Sequence, residues 1–511
     1  MSLKAQALKN IGSNWFGLAT NLIVGFFLSP FILHRLGDDV FGLWVLVFSL
    51  TGYYGLFDFG IRSSIVRYVA QFAAKSEEDR LVRFVNTSLC TYGGIGLLLL
   101  LLTVIGSANV SLLFRIPSAL HASATELFLI VGAAVSCSFP LSVFAGVLEG
   151  LQKFSWLSLT QVACNLLRAL LVVYALTHGG GLLTIAMITM GLNLLAYLVY
   201  AVVVHRLIFM RYGLQYVSRE SLRQMVSFGS VTFVILVAAQ LRFYTDATVI
   251  GIFISSAAIT YFSVGSKLVS YSGNITQSMS QIFTPMASQF HASGDMERLR
   301  RIFVLGNRAC ALVVFPVCAS LIIVGKSLIE VWVGAKYVAT GYLVLVTLLV
   351  GDTTEMAQSA SPKILFGMAR HRTLAFVRLA EGVVNLVLSI VLLRRYGVIG
   401  VALGTVIPQL CINLLFLPGH LCRVLDIRLR IFLKEAYVAP LLLSAPLAAV
   451  LLLLRRWSPA HSYLQLLAQL VAGAAVYSAG LIWFLLTREQ AGAELRAQFK
   501  QYWRDAVGPL A

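Results

Sequence analysis

Long apolar stretches dominate the chain and constrain its fold more than any other feature. The segment 93–106, GGIGLLLLLLTVIG, contains no charged residue, and stretches of this kind recur along the 511 residues. A helix needs about 20 apolar residues to cross a bilayer, whereas barrel strands alternate apolar and polar side chains over about 10 residues. The stretches here do not alternate. The sequence therefore predicts an all-α polytopic membrane protein with about 14 transmembrane helices.

Composition agrees with this class. The chain is 59% hydrophobic and 12% charged, where a soluble domain carries about 25% charged residues. The first apolar segment runs well past the length of a signal-peptide core, so we expect it to be the first spanning helix. The seven cysteines are scattered, mostly in apolar stretches and without a CxxC pair. We therefore expect no disulfide, metal site or cofactor.

Basic residues are distributed unequally between the two sides of the membrane. The loops on the side of the N-terminus hold 28 of the 39 Lys and Arg residues, and the opposite loops hold eight. Because cytoplasmic loops are enriched in Lys and Arg, both termini are expected in the cytoplasm. The same bias explains the net charge of +18 without a nucleic-acid partner.

A weak internal repeat suggests how the chain is divided. Segments 69–72 and 80–83 are echoed by segments 287–290 and 298–301, both at an offset of 218 residues. Since this offset covers six spans, the two halves have the same topology and form a parallel repeat about an axis along the membrane normal. The sequence thus predicts two six-helix lobes, two accessory spans and a cytoplasmic tail, at residues 1–223 (spans 1–6), 224–430 (spans 7–12), 431–490 (spans 13 and 14) and 491–511.

Polar side chains in the second span lie at helical spacing. Thr51, Tyr54, Asp58 and Arg62 are separated by 3, 4 and 4 residues, which places them on one face of a continuous helix. Two interpretations remain open. Either Arg62 reaches the cytoplasmic interface and only neutralises Asp58, or this face lines a water-filled cavity.

The eighth span carries a longer polar stripe, predicted to be a hydrated surface. Its members recur every three to four residues from Ser263 to Gln281, and Lys267 is the stripe's only charge. Tyr271, Asn274 and Gln277 belong to it. Such a number of polar residues exceeds what helix packing needs. Because spans 2 and 8 hold equivalent positions in the two lobes, we expect a cavity shared between them.

Further charged residues lie inside other spans. Arg242 and Asp246 are four residues apart and form either a neutral internal salt bridge or a cavity-lining pair that opens to an anionic ligand. Arg168 has no acidic partner on its own helix, which makes it a better ligand candidate. Asp352, Glu355 and Glu381 are either proton or cation sites or structural counter-ions to these bases. Coupling to a proton or Na⁺ gradient therefore remains open.

Several local motifs resemble those of the polysaccharide-transporter and O-antigen-flippase branch of the multidrug/oligosaccharidyl-lipid/polysaccharide (MOP) exporter superfamily. The most specific is the L-G-x-x-x-F-G-x-W element at 36–44, followed by Gly60-Ile61-Arg62. Segments 10–15, 148–153 and 365–367 look similar to the family as well. The resemblance extends through most of spans 1–12.

This resemblance implies a V-shaped pair of lobes, as in MATE transporters, that works by alternating access in a bacterial inner membrane. The implied cargo is an anionic undecaprenyl-diphosphate-linked oligosaccharide, moved from the cytoplasmic to the periplasmic leaflet through a cationic central cavity. The implied partners are membrane lipid and polysaccharide-assembly proteins, and the implied transport unit is a monomer. The resemblance supplies no site motif, so the candidates come from the residues described above. The substrate-binding candidates are Arg62, Arg168, Arg242, Lys267, Tyr271, Asn274 and Gln277. The candidate coupling sites or counter-ions are Asp58, Asp246, Asp352, Glu355 and Glu381.

Two alternatives remain. A cation-coupled multidrug antiporter of the same superfamily would favour an acidic cavity, so the sign of the cavity's charge distinguishes it. A membrane glycan polymerase or ligase would carry catalytic residues on a large external loop, and every external loop here is short. We therefore expect a transporter without a catalytic residue.

Overall fold

The computed structural model describes residues 3–208 and 210–487, which fold into helices without a β-strand. The α-helices of this part of the chain are α1 (Leu3–Leu36), α2 (Asp38–Gly52), α3 (Ile61–Ala74), α4 (Glu78–Leu113), α5 (His121–Gly150), α6 (Phe154–Thr177), α7 (Leu182–Leu207), α8 (Arg219–Phe253), α9 (Ser256–Ser280), α10 (Phe283–Ala292), α11 (Met296–Val333), α12 (Val338–Ala357), α13 (Ala360–Gly367), α14 (Arg372–Tyr396), α15 (Val398–Leu410), α16 (Leu417–Val424), α17 (Leu429–Leu433), α18 (Ala439–Trp457) and α19 (Tyr463–Thr487). The predicted all-α fold class is confirmed.

Within the described residues, twelve segments are long and apolar enough to cross a membrane. They correspond in order to spans 1–6 and 9–14 of the prediction. The remaining two predicted spans are α8 and α9, whose 35 and 25 residues are long enough to cross a bilayer. The multi-pass prediction holds, and the count of 14 is approximate.

The second span ends in a break that the sequence pattern did not predict. A 3₁₀ turn over Tyr53–Asp58 follows α2, and Phe59 (φ 48°) and Gly60 (φ 74°) then adopt left-handed backbone conformations before α3 begins. Left-handed residues interrupt the helical phase. The prediction of one continuous polar face is therefore wrong for the four residues that it named, Thr51, Tyr54, Asp58 and Arg62.

The described chain separates into two compact units. The first comprises the described parts of 10–263 and residues 375–404, and one of its cores is built from α3, α4, α5 and α7 around side chains such as Phe84 and Leu148. Helices α4 and α5 approach closely at Gly96, where an added Cβ would lie 2.7 Å from the carbonyl oxygen of Ser136. Small residues at helix contacts allow membrane helices to pack this closely.

The second unit comprises the described residues 3–9, 264–374 and 405–487. One of its cores contains Phe303 and Phe432, whose rings stack with centroids 4.3 Å apart. A π-helical turn at Cys411–Phe416 separates α15 from α16. The division into six-helix lobes at residues 1–223 and 224–430 and the accessory pair at 431–490 stay predictions, and the tail at 491–511 lies outside the described residues.

Candidate functional site

A polar cavity of about 380 Å³ lies within the first unit, lined by residues of α1, α3, α5, α6 and α7. This volume is near the lower end of the range for small-molecule sites, about 300–1,000 Å³. The cavity therefore suits one small polar group. Its polar lining residues are Asn21, Arg62, Glu149, Ser158, Gln161, Asn193, Tyr197 and Tyr200.

Helical spacing explains why these side chains meet. Asn193, Tyr197 and Tyr200 are separated by four and three residues, so they follow one face of α7. Most of the lining lies near the end of α5, the start of α6 and the end of α7. These helix ends adjoin Lys153 and Arg206, two of the residues that predict the cytoplasmic side.

The cavity contains an ion pair between two lining residues. The Nη2 atom of Arg62 donates a hydrogen bond to Oε1 of Glu149 at 2.6 Å, and the two side chains are 42% and 26% exposed. Arg62 lies at the start of α3, outside the candidate spans. Burial alone would lower the pKa of its guanidinium, but the hydrogen bond and charge of Glu149 outweigh burial and raise that pKa. The guanidinium of Arg62 therefore stays charged.

Asp58 fixes the helix that presents Arg62. Its Oδ1 atom accepts a hydrogen bond from the backbone N–H of Arg62 at 3.1 Å, and the hydroxyl of Tyr92 also donates to it. A carboxylate that accepts a backbone N–H in the first turn acts like a helix cap. Asp58 does not itself line the cavity. Its contacts identify it as a residue that positions Arg62.

The formal charge of the lining is zero. Arg62 and Glu149 are the charged residues among the cavity's lining side chains, and their charges cancel. This neutral cavity lies inside one unit, so the cationic cavity that the sequence places between the lobes stays a prediction.

Arg168 lies on the same helix as Gln161, two turns further on. Its Nε atom is buried and has no hydrogen-bond partner. The Nδ2 atom of Asn165, one turn earlier, is likewise buried and has none. Inside a membrane an unsatisfied polar group is costly. Arg168 therefore keeps a donor available for an anionic acceptor, in agreement with its selection as a ligand candidate.

The other basic candidates do not line the cavity. Arg242 of the first unit and Lys267 of the second are both half-buried, as are Asp246 and Tyr271. On α9 in the second unit, Asn274 and Gln277 are exposed. Their roles in substrate binding stay predictions.

In the second unit, Asp352 and Glu355 share one hydrogen-bond donor. Nε2 of Gln409 donates to Oδ1 of Asp352 at 2.7 Å and to Oε2 of Glu355 at 2.9 Å. Gln409 is fully buried, and its Oε1 atom has no partner. The π-helical turn defined above begins two residues later, and such turns occur frequently at functional sites. The structure thus brings these two carboxylates together.

Glu381 has a counter-ion on its own helix. Nη1 of Arg378 donates to Oε2 of Glu381 at 2.6 Å, with side-chain exposures of 17% and 5%. The sequence left open whether Glu381 binds a coupling ion or neutralises a base. The contact pairs Glu381 with Arg378, and its role as a coupling site or as a counter-ion stays a prediction.

Sequence reasoning missed three residues that organise these sites: Glu149, Tyr92 and Gln409. Glu149 carried a signal, since it is a lone acid after the apolar segment 143–148 and belongs to a family-like motif. Its partner Arg62 is 87 positions away, which spacing on one helix cannot reveal.

Comparisons with known proteins identify the family. The family model described as polysaccharide biosynthesis protein matches residues 32–340. The chain is 21% identical over 414 residues to the Shigella flexneri protein named “Putative O-antigen transporter”, covering 78% of this chain and 93% of that protein. It is 22% identical over 443 residues to the uncharacterized membrane protein EpsK of Bacillus subtilis, covering 83% and 85%.

Solved structures show the same fold. The lipid II flippase MurJ in an inward closed conformation superposes with a TM-score of 0.71 at 17% identity, covering 93% of this chain and 98% of that one. An inward-facing MATE family transporter of the MOP superfamily gives a TM-score of 0.70 at 14% identity, covering 85% and 97%. The Shigella protein and these two solved structures are described as transporters or a flippase. With a family match over more than half of its length and the fold of MOP transporters, it belongs to the polysaccharide biosynthesis protein family.

Proposed function

We propose that the chain is a flippase that moves an undecaprenyl-diphosphate-linked oligosaccharide, an O-antigen or exopolysaccharide repeat unit, from the cytoplasmic to the periplasmic leaflet by alternating access. The observation that carries the proposal is the polar cavity among the membrane helices of a polysaccharide biosynthesis family member. A purely apolar cargo could not form hydrogen bonds with the amide, hydroxyl and charged groups of this cavity. The names of the Shigella protein and of MurJ agree with such a cargo.

The diphosphate needs basic groups outside this neutral cavity. Arg168 is the first candidate, because its buried Nε has no partner and a guanidinium can bind two phosphate oxygens at once. Arg242 and Lys267 are the further candidates. The lipid tail stays in the bilayer throughout.

Asp352 and Glu355 supply a candidate coupling site. Both carboxylates accept from the same amide nitrogen, so they are close enough to share a proton or a cation. The Oε1 atom of Gln409 has no partner, and rotation of this amide would turn it toward the carboxylates as a further oxygen ligand. Loading this site with H⁺ or Na⁺ would change the hydrogen bonds that join α12 to α15.

The multidrug-antiporter alternative lacks support from the charge of the cavity, since the one acidic lining residue is neutralised by Arg62. A deletion strain tests the two functions. A flippase defect leaves the lipid-linked oligosaccharide complete but confined to the cytoplasmic leaflet, and the intact gene restores its transfer. An unchanged leaflet distribution together with increased sensitivity to cationic drugs would favour the antiporter.

A further inference from the structure

Three amide side chains that line the cavity lack a close protein partner. Among the described residues, the amide side chains of Asn21 and Asn193 make no hydrogen bond, and Gln161 makes only a long one, from its Nε2 to Oδ1 of Asn165 at 3.4 Å. Each amide offers two donors and an acceptor. Such groups on membrane helices need water or a ligand to satisfy them. Three amides from α1, α6 and α7 therefore point to a ligand rich in hydroxyl or amide groups.

Two tyrosines add an aromatic wall. The rings of Tyr197 and Tyr200 lie edge to face, with centroids 5.9 Å apart and an interplanar angle of 84°. The hydroxyl of Tyr200 donates to the carbonyl oxygen of Leu157 at 3.3 Å, which holds that ring in place. An aromatic face beside unsatisfied amides is the combination that binds a pyranose, whose C–H groups pack on a ring while its hydroxyls bond to amides.

The ion pair determines which charge is accepted. A sugar carboxylate could reach Arg62 only by displacing Glu149 or by lying beside it, and either arrangement leaves negative charge unpaired in a half-buried site. A second acid, Asp58, lies beside Arg62 and accepts a hydrogen bond from its backbone N–H. An uncharged sugar disturbs none of these contacts.

We infer that this cavity is a subsite for one uncharged sugar residue of the cargo. The amides of Asn21, Gln161 and Asn193 would hydrogen-bond its hydroxyl groups, and its ring would pack on the ring of Tyr197. The inference rests on the proposed flippase function and deepens it. The subsite selects the glycan near the predicted cytoplasmic end of the helices, and the diphosphate binds elsewhere. Its volume of about 380 Å³ limits the selection to a single residue or little more.

A binding titration on the purified full-length chain in nanodiscs tests the subsite. The probes are glucose, galactose, mannose, N-acetylglucosamine, N-acetylgalactosamine and glucuronate, and binding is followed by saturation-transfer NMR. We expect at least one uncharged sugar to bind about tenfold more tightly than glucuronate. Tyr197→Leu and Asn193→Leu should each weaken that binding about tenfold, and Tyr197→Phe, which keeps the ring, should weaken it much less than Tyr197→Leu.

Matched controls come from the same unit. Tyr174→Leu removes an exposed tyrosine of α6 that stacks on His178, and Asn109→Leu removes an exposed amide of α4. Both should bind sugar as the native chain does. Binding of none of the uncharged sugars, equal or tighter binding of glucuronate, or full binding by both Tyr197→Leu and Asn193→Leu would overturn the inference.

A leaflet assay on the same preparations separates this inference from the function on which it rests. A native chain that transfers lipid-linked glycan but shows no sugar binding contradicts the subsite and leaves the flippase function intact. A native chain that binds sugar but transfers no lipid-linked glycan contradicts the flippase function.

Discussion

The guanidinium of Arg62 and the carboxylate of Glu149 meet at 2.6 Å, joining the start of α3 to the end of α5. Both side chains line the same cavity, so this one contact sets the cavity's charge. The left-handed residues Phe59 and Gly60 and the cap from Asp58 determine where α3 begins. The ion pair is thus a product of the backbone break as well as of the two charges.

Glu149→Gln should change which sugars the cavity accepts. The substitution keeps the shape of the side chain but leaves the positive charge of Arg62 unneutralised. We expect glucuronate to bind about tenfold more tightly, while binding of uncharged sugars changes little. Glu126→Gln is the control, since Glu126 is an exposed acid on the same helix α5. Unchanged glucuronate affinity in Glu149→Gln would show that the pair does not select against acidic sugars.

Gly42→Ala should destabilise the first unit. A Cβ at Gly42 would lie 1.8 Å from the carbonyl oxygen of Ser256, and the hydroxyl of Ser256 donates to Oδ1 of Asp39 at 2.8 Å. Because backbone atoms must move to admit the methyl group, we expect a loss of about 1–3 kcal/mol, measured as a lower unfolding temperature in detergent.

Gly93→Ala on α4 is the control for this substitution, because a Cβ there meets nothing within 4 Å. It should leave the unfolding temperature unchanged or raise it slightly, since alanine favours a helix over glycine by roughly 0.5–1 kcal/mol. Equal unfolding temperatures for Gly42→Ala and Gly93→Ala would show that α2 and the start of α9 do not pack as described.

Arg378→Met should destabilise the chain more than loss of the whole ion pair. It leaves the carboxylate of Glu381, only 5% exposed, without its counter-ion, and breaking a buried pair costs about 3–5 kcal/mol. The double variant Arg378→Met/Glu381→Met removes both charges and should recover most of the loss. Thermal unfolding of the purified variants measures both effects. A double variant as unstable as Arg378→Met would mean that the ion pair is not the source of the loss.

Asp352→Asn combined with Glu355→Gln should remove ion coupling. Transport into proteoliposomes that depends on an imposed Na⁺ or pH gradient should disappear, because the shared carboxylate site no longer changes charge. Glu330→Gln is the control, as Glu330 is an exposed acid on α11 of the same unit. Gradient-dependent transport that survives in the double variant would exclude this pair as the coupling site.

The sequence predicted the helical class and twelve of the spans because each span carries its own apolar signal. It failed at Phe59 and Gly60, since a left-handed break between two helices leaves almost no trace in hydropathy. Arg62 lines a cavity inside the first unit, whereas the sequence placed it, on a helical face that the structure breaks, in a cavity shared between the lobes. Its role in substrate binding stays a prediction.

Most of the cavity could not be predicted from single helices. Asn193, Tyr197 and Tyr200 lie on one face of α7, yet one helix cannot show whether that face meets lipid or another polar face. The answer depends on Asn21, Gln161 and Glu149, which come from three other helices. Long-range contacts of this kind arise from helix packing. The internal repeat and the polar stripe of one span carry no information about them.

The most direct test of the flippase proposal is transfer of a labelled undecaprenyl-diphosphate-linked glycan between the leaflets of proteoliposomes, followed by quenching of the label from outside. The native chain should move the lipid between leaflets, and Arg168→Ala and Lys267→Ala should each slow transfer at least about tenfold while unfolding at the native temperature. Transfer by the native chain no faster than in protein-free liposomes would contradict the account.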